Sequence, residues 1–169
     1  MSEIINSEII NASAADIAII QDIAEKTWWP TYSPLIADVQ IRYMLDAIYS
    51  TETLLNVIQG GSQHFILIKD EAGVQGFASY GPRPDERTVY KLHKIYVLPD
   101  NHGKGYGAQL VAEVKRRLKM QGIHTLDLNV NRHNKAREFY EKMGFAVIQE
   151  EDVPIGPYWM NDYVMRLTF

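Results

Sequence analysis

The residues whose types and spacing best suit chemistry are Asn101-His102-Gly103-Lys104-Gly105-Tyr106-Gly107. They stand between an apolar run, Ile95-Tyr96-Val97-Leu98-Pro99, and a segment of helical periodicity that begins near Ala108. A strand that passes through a three-glycine turn into a helix exposes several backbone N–H groups at the positive end of the helix dipole, where phosphate oxygens bind. Glycine suits such a turn because a side chain would hold a ligand off the backbone, and because some turn positions require positive φ. The spacing points to a compound that carries a pyrophosphate. No Gly-x-x-x-x-Gly-Lys-Ser/Thr string occurs, so the turn is not a P-loop. It departs from the Rossmann fingerprint as well. Gly103-x-Gly105 is present, and the acidic Asp127 follows at about 20 residues. The third glycine, however, is Gly107, one residue early, and Asp127 falls inside its strand.

The elements that must position this turn follow from periodicity. Ile4 to Asn11 reads as a first strand. Ser13 is an N-cap for a helix with Ile17, Ile20, Ile23 and Ala24 on one face, ending near Trp28-Trp29-Pro30. Val39 to Tyr49 and Thr53 to Gln59 carry two further helical patterns, broken by Gly60-Gly61. The period then changes to two. His64 to Ile68, Val74 to Tyr80 and Val89 to Leu98 form a three-strand meander, with a hairpin turn at Asp70-Glu71-Ala72-Gly73. A helix from about Gly105 to Met120 turns Leu110, Val111, Val114 and Leu118 inward, and Gly122 stops it. Leu126 to Val130 is a strand, Asn134 to Met143 a helix, and Phe145 to Gln149 and Tyr163 to Leu167 two closing strands. The fold class is α/β: a mixed, mostly antiparallel sheet flanked by helices, with one βαβ crossover after the glycine loop.

Composition narrows the function. The chain has 169 residues, 46% hydrophobic and 22% charged, which suits a single domain over residues 1–169. With no cysteine, thiolate catalysis and Cys-ligated metals are excluded. The formal net charge of −4 gives no reason to expect nucleic acid as a partner. No apolar run is long enough to span a bilayer, and the amino terminus lacks a signal-peptide pattern, so no membrane partner and a cytoplasmic location are expected. The five histidines show no His-x-x-x-His pairing, so no metal site is expected.

Two separated segments carry a resemblance. The run Ile95-Tyr96-Val97-x-Pro99 followed by Gly103-Lys104-Gly105-Tyr106-Gly107 resembles motif A of the GNAT superfamily of N-acetyltransferases. The segment Asn134-Lys135-Ala136-Arg137-Glu138-Phe139-Tyr140-Glu141-Lys142-Met143-Gly144-Phe145 resembles motif B. The element order is similar to that fold across nearly the whole chain. Around Thr27-Trp28-Trp29-Pro30-Thr31-Tyr32 and in motif B the chain looks similar to polyamine (spermidine/spermine) acetyltransferases. His102 stands where the superfamily usually has Arg or Gln, and Asn134 lies two residues before Ala136 where three is usual.

The resemblance implies acetyl-CoA as cosubstrate, with its pyrophosphate on the segment His102 to Ala108 and its pantetheine arm paired with Ile95, Tyr96 and Val97. In the superfamily this strand splays from the Leu126–Val130 strand, and the arm adds to it as an extra strand would. Asn134 is implied as a further cofactor contact. Tyr140 matches the family's general-acid tyrosine; by spacing alone it is equally one more ring beside Phe139 on an inward stripe. Acetyl transfer also needs an acceptor for the amine's proton, and His93 is the candidate, on the strand entering the loop and opposite in face to Leu92 and Lys94. A satisfied histidine in a half-buried strand is the alternative. Trp28, Trp29 and Tyr32 are candidates to border the acceptor site, by apolar or cation–π contact, against a plain core role. The expected activity is direct transfer to a primary amine, a small amine or polyamine. Peptide or protein amines, or a non-catalytic acyl-CoA-binding module, are the alternatives. A homodimer is common in the superfamily.

Overall fold

Residues 6–169 are described by the computed structural model, so Ile4 and Ile5 of the expected first strand lie outside the described residues. The remainder of that strand is β1 (Glu8–Asn11). Ser13 then closes a capping box with Asp16 ahead of α1 (Ile17–Tyr32). Two more helices follow, α2 (Asp38–Tyr49) and α3 (Thr51–Gln59), with Ser50 capping the second through the Thr53 amide at 3.1 Å. The meander is β2 (His64–Asp70), β3 (Gly73–Pro82) and β4 (Tyr90–Val97). After the glycine loop come α4 (Tyr106–Met120), β5 (Thr125–Asn131), α5 (Ala136–Lys142), β6 (Ala146–Ile155) and β7 (Tyr158–Thr168).

The strands form one sheet in the order β1-β2-β3-β4-β5-β7-β6. Every neighbouring pair is antiparallel except β4 and β5, which are parallel and joined by the α4 crossover. Alternation along β2 divides the interior into two cores. Ile66 and Ile68 face α4 with Leu110, Val114 and Leu118, while Phe65 and Leu67 face α1–α3 with Ile20, Ile23, Ile41 and Met44.

Two local features shape the centre of the sheet. Pairing between β4 and β5 covers only Tyr90 to Leu92 against Leu126 to Leu128. Beyond that point β4 stays with β3 as far as Val97, and β5 stays with β7 as far as Asn131, so the two strands part company. The second feature is a bulge. Ser79 faces Lys94 and Tyr80 faces Leu92, which leaves His93 as the extra residue on β4. Simple alternation put Leu92 and Lys94 on the same face, and the bulge corrects that expectation. Leu92 packs in the α4-side core, whereas the Lys94 ammonium lies 5.8 Å from the Tyr49 ring centre and 5.4 Å from that of Phe65, on the opposite side.

Elsewhere the boundaries differ from expectation in two places. Helix α1 continues through Pro30 to Tyr32, since a proline near the end removes only one interior hydrogen bond. The last two strands are longer than hydropathy suggests. The expected strand stops at Gln149, but β6 continues through Glu150-Glu151-Asp152 and Pro154, since it is an edge strand, where charges and proline are tolerated.

Candidate active site

The parting of β4 and β5 opens a cleft of about 890 Å³, within the range of ligand pockets. One wall is β4 from Leu92 to Val97, whose backbone on the β5 side has no strand partner beyond Leu92. The other wall includes Leu128, Asn129 and Val130 of β5 and Asn134, Ala136, Phe139 and Tyr140 around α5. The end of α1 supplies Thr27, Pro30, Thr31 and Tyr32, and the glycine loop closes one end.

The loop presents donors. No side chain caps the N-terminus of α4, so the first-turn amides of Tyr106, Gly107 and Ala108 have no partner within the helix. Gly103 (φ 89°) and Gly105 (φ 78°) both occupy the left-handed region, which sets the loop's path into the helix. Gly107 is glycine for a different reason: a Cβ there would meet the Phe139 ring at 3.3 Å.

A hydrogen-bond chain pins this loop to the β2–β3 hairpin. Lys104 Nζ donates to Asn101 Oδ1 at 3.0 Å, Asn101 Nδ2 donates to Gln75 Oε1, and Gln75 Nε2 donates to Asp70 Oδ1 at 3.1 Å. Asp70 Oδ2 accepts from the Tyr106 hydroxyl at 2.6 Å. That bond lowers the Asp70 pKa and pushes Tyr106 up to about 12. Tyr106 contributes its amide to the cleft while its buried ring and hydroxyl anchor the helix start. Lys104 differs from expectation. Its side chain is turned to Asn101, its amide donates to the Asn101 carbonyl at 3.2 Å, and it does not line the cleft. The His102 side chain does line it, while the His102 amide is used on Pro99 O at 3.2 Å.

Ile95, Tyr96 and Val97 are all in the cleft wall. The Tyr96 ring turns toward the α1-side core and its hydroxyl meets that of Tyr32 at 3.2 Å. Burial raises the pKa of both phenols. Asn134 borders the cleft, but its Oδ1 accepts from the Ala136 amide at 2.9 Å and starts α5, so only its NH₂ remains for a ligand. Tyr140 is 8% exposed, held edge-on between Phe139 and Phe145, and reaches the cleft wall. Burial, and after it the Tyr32 phenol, raises its pKa well above the ordinary value, so it stays protonated at neutral pH.

His93 also borders the cleft, brought there by the bulge. Its pKa is lowered to about 3, first by desolvation and then by the charges of Lys91, Lys94 and Arg83. Both causes favour the uncharged ring, so the imidazole is neutral at physiological pH. Buried Lys94 beside it is lowered to about 8 by desolvation and then by Lys91.

Of the aromatic trio expected at the acceptor site, only Tyr32 lines the cleft. Trp28 is 4% exposed within the α1-side core, tilted against Tyr32 at 4.6 Å between ring centres. Trp29 lies outside the cleft. Its Nε1 donates to Glu25 at 2.9 Å and the Arg42 guanidinium sits 5.5 Å over its ring. Helix α1 meets the cleft through Thr27, Pro30, Thr31 and Tyr32, while Trp28 packs inward and Trp29 lies against Glu25 and Arg42. Gln75 and Asn129 were missed: isolated amides in two strands carry no spacing signal.

Among the described residues no group of three His, Cys, Asp or Glu side chains could hold a metal, and no helix is long and apolar enough to cross a membrane. What the cleft does offer is a row of free amides at a helix start, an unpaired strand edge and a buried phenol. That set fits a long ligand with a diphosphate at one end and amide groups along its arm.

Comparison with known proteins agrees. Residues 61–147 match the model of a family described as an acetyltransferase (GNAT) domain. An uncharacterized N-acetyltransferase of Mycobacterium tuberculosis is 29% identical over 144 residues, covering 85% of this chain and 91% of the relative. The spermidine N(1)-acetyltransferase of Thermoplasma acidophilum is 27% identical over 142 residues, covering 83% and 88%. Among solved structures, PaiA N-acetyltransferase of Thermoplasma acidophilum in complex with coenzyme A superposes with a TM-score of 0.82 at 27% identity, covering 97% of this chain and 99% of that one.

Proposed function

Because the chain belongs to the GNAT family of acetyltransferases, which use acetyl-CoA as donor, we propose that it acetylates a small primary amine, with a polyamine as the leading class. The observation that carries this reading is the convergence, in one cleft, of the uncapped α4 start, the free edge of β4 and the Tyr140 phenol. Acetyl-CoA brings an acetyl thioester to that cleft. The amides of Gly103 and of Tyr106 to Ala108 hold its diphosphate, and Ile95, Tyr96 and Val97 pair with its arm. An N–H of that strand edge can also donate to a carbonyl oxygen as negative charge develops on it.

Tyr140 holds its proton on the phenolic oxygen at neutral pH and can give it to the departing sulfur as the C–S bond breaks. His93, neutral in the cleft wall, accepts a hydrogen bond or proton from the incoming amine. Desolvation, and after it the charges of Lys91, Lys94 and Arg83, disfavour the imidazolium, so the amine's proton passes through His93 to cleft water. Transfer is direct within a ternary complex, since the chain has no cysteine to carry an acyl group. The similarity to a spermidine acetyltransferase over 83% of this chain supports the polyamine class. The test is an amine panel assayed by thiol release. Turnover with aliphatic diamines and triamines supports the proposal; turnover confined to peptide amines, or acetyl-CoA binding without any thiol release, refutes it.

A further inference from the structure

Two buried carboxylates share one face of the β5–β7 pair, and they are treated very differently. Asp127, fully buried, receives Arg83 Nε at 2.9 Å and Arg166 Nε at 2.7 Å, with a second guanidinium nitrogen from each at 2.8 and 3.0 Å. Asp162, 7% exposed, has no ion-pair partner among the described residues. Its Oδ2 accepts a long bond from Asn129 Nδ2 at 3.3 Å, and its Oδ1 is buried with no partner. The Oδ1 of Asn129 is buried and unpartnered too.

The neighbouring charges do not fill the gap. Lys91 on β4, Arg132 after β5 and Glu151 on β6 act on Asp162 only through space. Arg132 is committed to Asp152 Oδ1 at 3.0 Å and to the Asp162 backbone carbonyl at 3.1 Å. Burying a carboxylate without donors is unfavourable unless something supplies them.

The position of the pair says what that is. Asn129 lines the cleft as the first β5 residue beyond the last β4 partner, Leu128. Asp162 lies behind it, outside the cleft lining, with its Oδ2 3.3 Å from the Asn129 amide nitrogen. The unpartnered Oδ1 atoms of Asp162 and Asn129 make a pair of acceptors suited to a cationic N–H donor. A nitrogen held there is kept protonated, because an adjacent carboxylate favours the cation. A protonated nitrogen has no lone pair with which to attack a thioester.

We infer that Asp162 and Asn129 form an anchoring subsite for a second, non-reacting ammonium group of the acceptor, reached by rotation of the Asn129 side chain, so that the substrate is at least a diamine. This rests on the amine-acceptor reading above and makes Asp162 and Asn129 specificity determinants.

The test compares 1,4-diaminobutane with butylamine at saturating acetyl-CoA, in wild type and Asp162→Asn. Wild type should prefer the diamine by roughly tenfold or more in kcat/KM, the scale of one hydrogen bond to a charged group. Asp162→Asn should erase that preference by raising the diamine KM, leaving kcat, the butylamine KM and the acetyl-CoA KM in place. An undiminished preference in Asp162→Asn, or no preference in wild type, overturns the inference. Should Asp162→Asn fail to fold, Asp162→Ser, which also removes the charge, is read the same way. Calorimetric titration of 1,4-diaminobutane into the coenzyme A-bound protein separates the two proposals. Binding that Asp162→Asn abolishes, without thiol release in wild type, sinks the transfer reading and keeps the subsite; turnover of both amines with no binding difference does the reverse.

Discussion

The same substitution at two glycines of the loop should have different consequences, because their surroundings differ. At Gly105 an added Cβ meets nothing within 4 Å, yet φ is 78° and ψ 14°. The penalty for Gly105→Ala is purely conformational, about 1–2 kcal/mol for an L-residue in the left-handed region. For a domain of this size that lowers Tm by roughly 2–8 °C. If the chain relaxes by leaving that region, the amides of Tyr106 to Ala108 rotate, and acetyl-CoA affinity falls with stability. Gly107 is already helical, so alanine there gains up to about 1 kcal/mol of helix propensity. Against that gain stands the 3.3 Å approach to Phe139, a ring 37% exposed and free to move outward. Gly107→Ala should keep or slightly raise Tm, while the methyl and the displaced ring intrude on the cleft and weaken acetyl-CoA binding. Urea unfolding and calorimetric titration measure the two quantities separately. A Gly107→Ala protein as destabilised as Gly105→Ala, or a Gly105→Ala protein with wild-type stability and affinity, refutes the reasoning.

Tyr140→Phe should lower kcat by about 10²-fold or more, the usual scale of general-acid catalysis, with Tm and acetyl-CoA affinity unchanged; wild-type turnover removes the acid role. The His93 ring resonances, followed by NMR, should titrate far below the ordinary midpoint near 6.5, and a midpoint at or above that value contradicts the neutral-imidazole assignment. Glu113 is lowered to about 2, chiefly by its hydrogen bond from Arg116. Its folded pKa lies below the unfolded one, so its contribution is present above about pH 4.5 and lost as pH falls toward 2. Glu113→Gln should therefore show a shallower loss of urea midpoint over that window, and an identical slope counts against the assignment. Asp127→Asn leaves two guanidiniums facing a neutral amide and should destabilise by about 3 kcal/mol, with acetyl-CoA affinity retained. A change below 1 kcal/mol in urea unfolding would show that the pair adds little.

The elements and the glycine loop that closes one end of the cleft were legible because each rests on a local rule. Period two in His64–Ile68, period 3.6 in Leu110–Leu118 and the Gly103-x-Gly105-x-Gly107 spacing need no knowledge of distant residues. What depended on partners was not legible. The bulge at His93 exists only in register with Ser79 and Tyr80, so alternation assigned Leu92 and Lys94 wrongly. Trp28 and Trp29 differ from Tyr32 only by rotation about α1, whose orientation is fixed by packing on Phe77 and Tyr96. The extension of β6 through Glu150-Glu151-Asp152 relies on its edge position. The Asn101–Gln75–Asp70 chain joins residues from two turns. Asp127 and Asp162 are indistinguishable by type, and only the arginines around the first tell them apart.

The central claim is that the opening between β4 and β5 grips acetyl-CoA with the start of α4. A crystal structure of the protein grown with coenzyme A tests it most directly. The diphosphate should lie within hydrogen-bond distance of the amides between Gly103 and Ala108, with the arm running along Ile95 to Val97 toward Tyr140. A diphosphate bound anywhere else on the molecule contradicts the account.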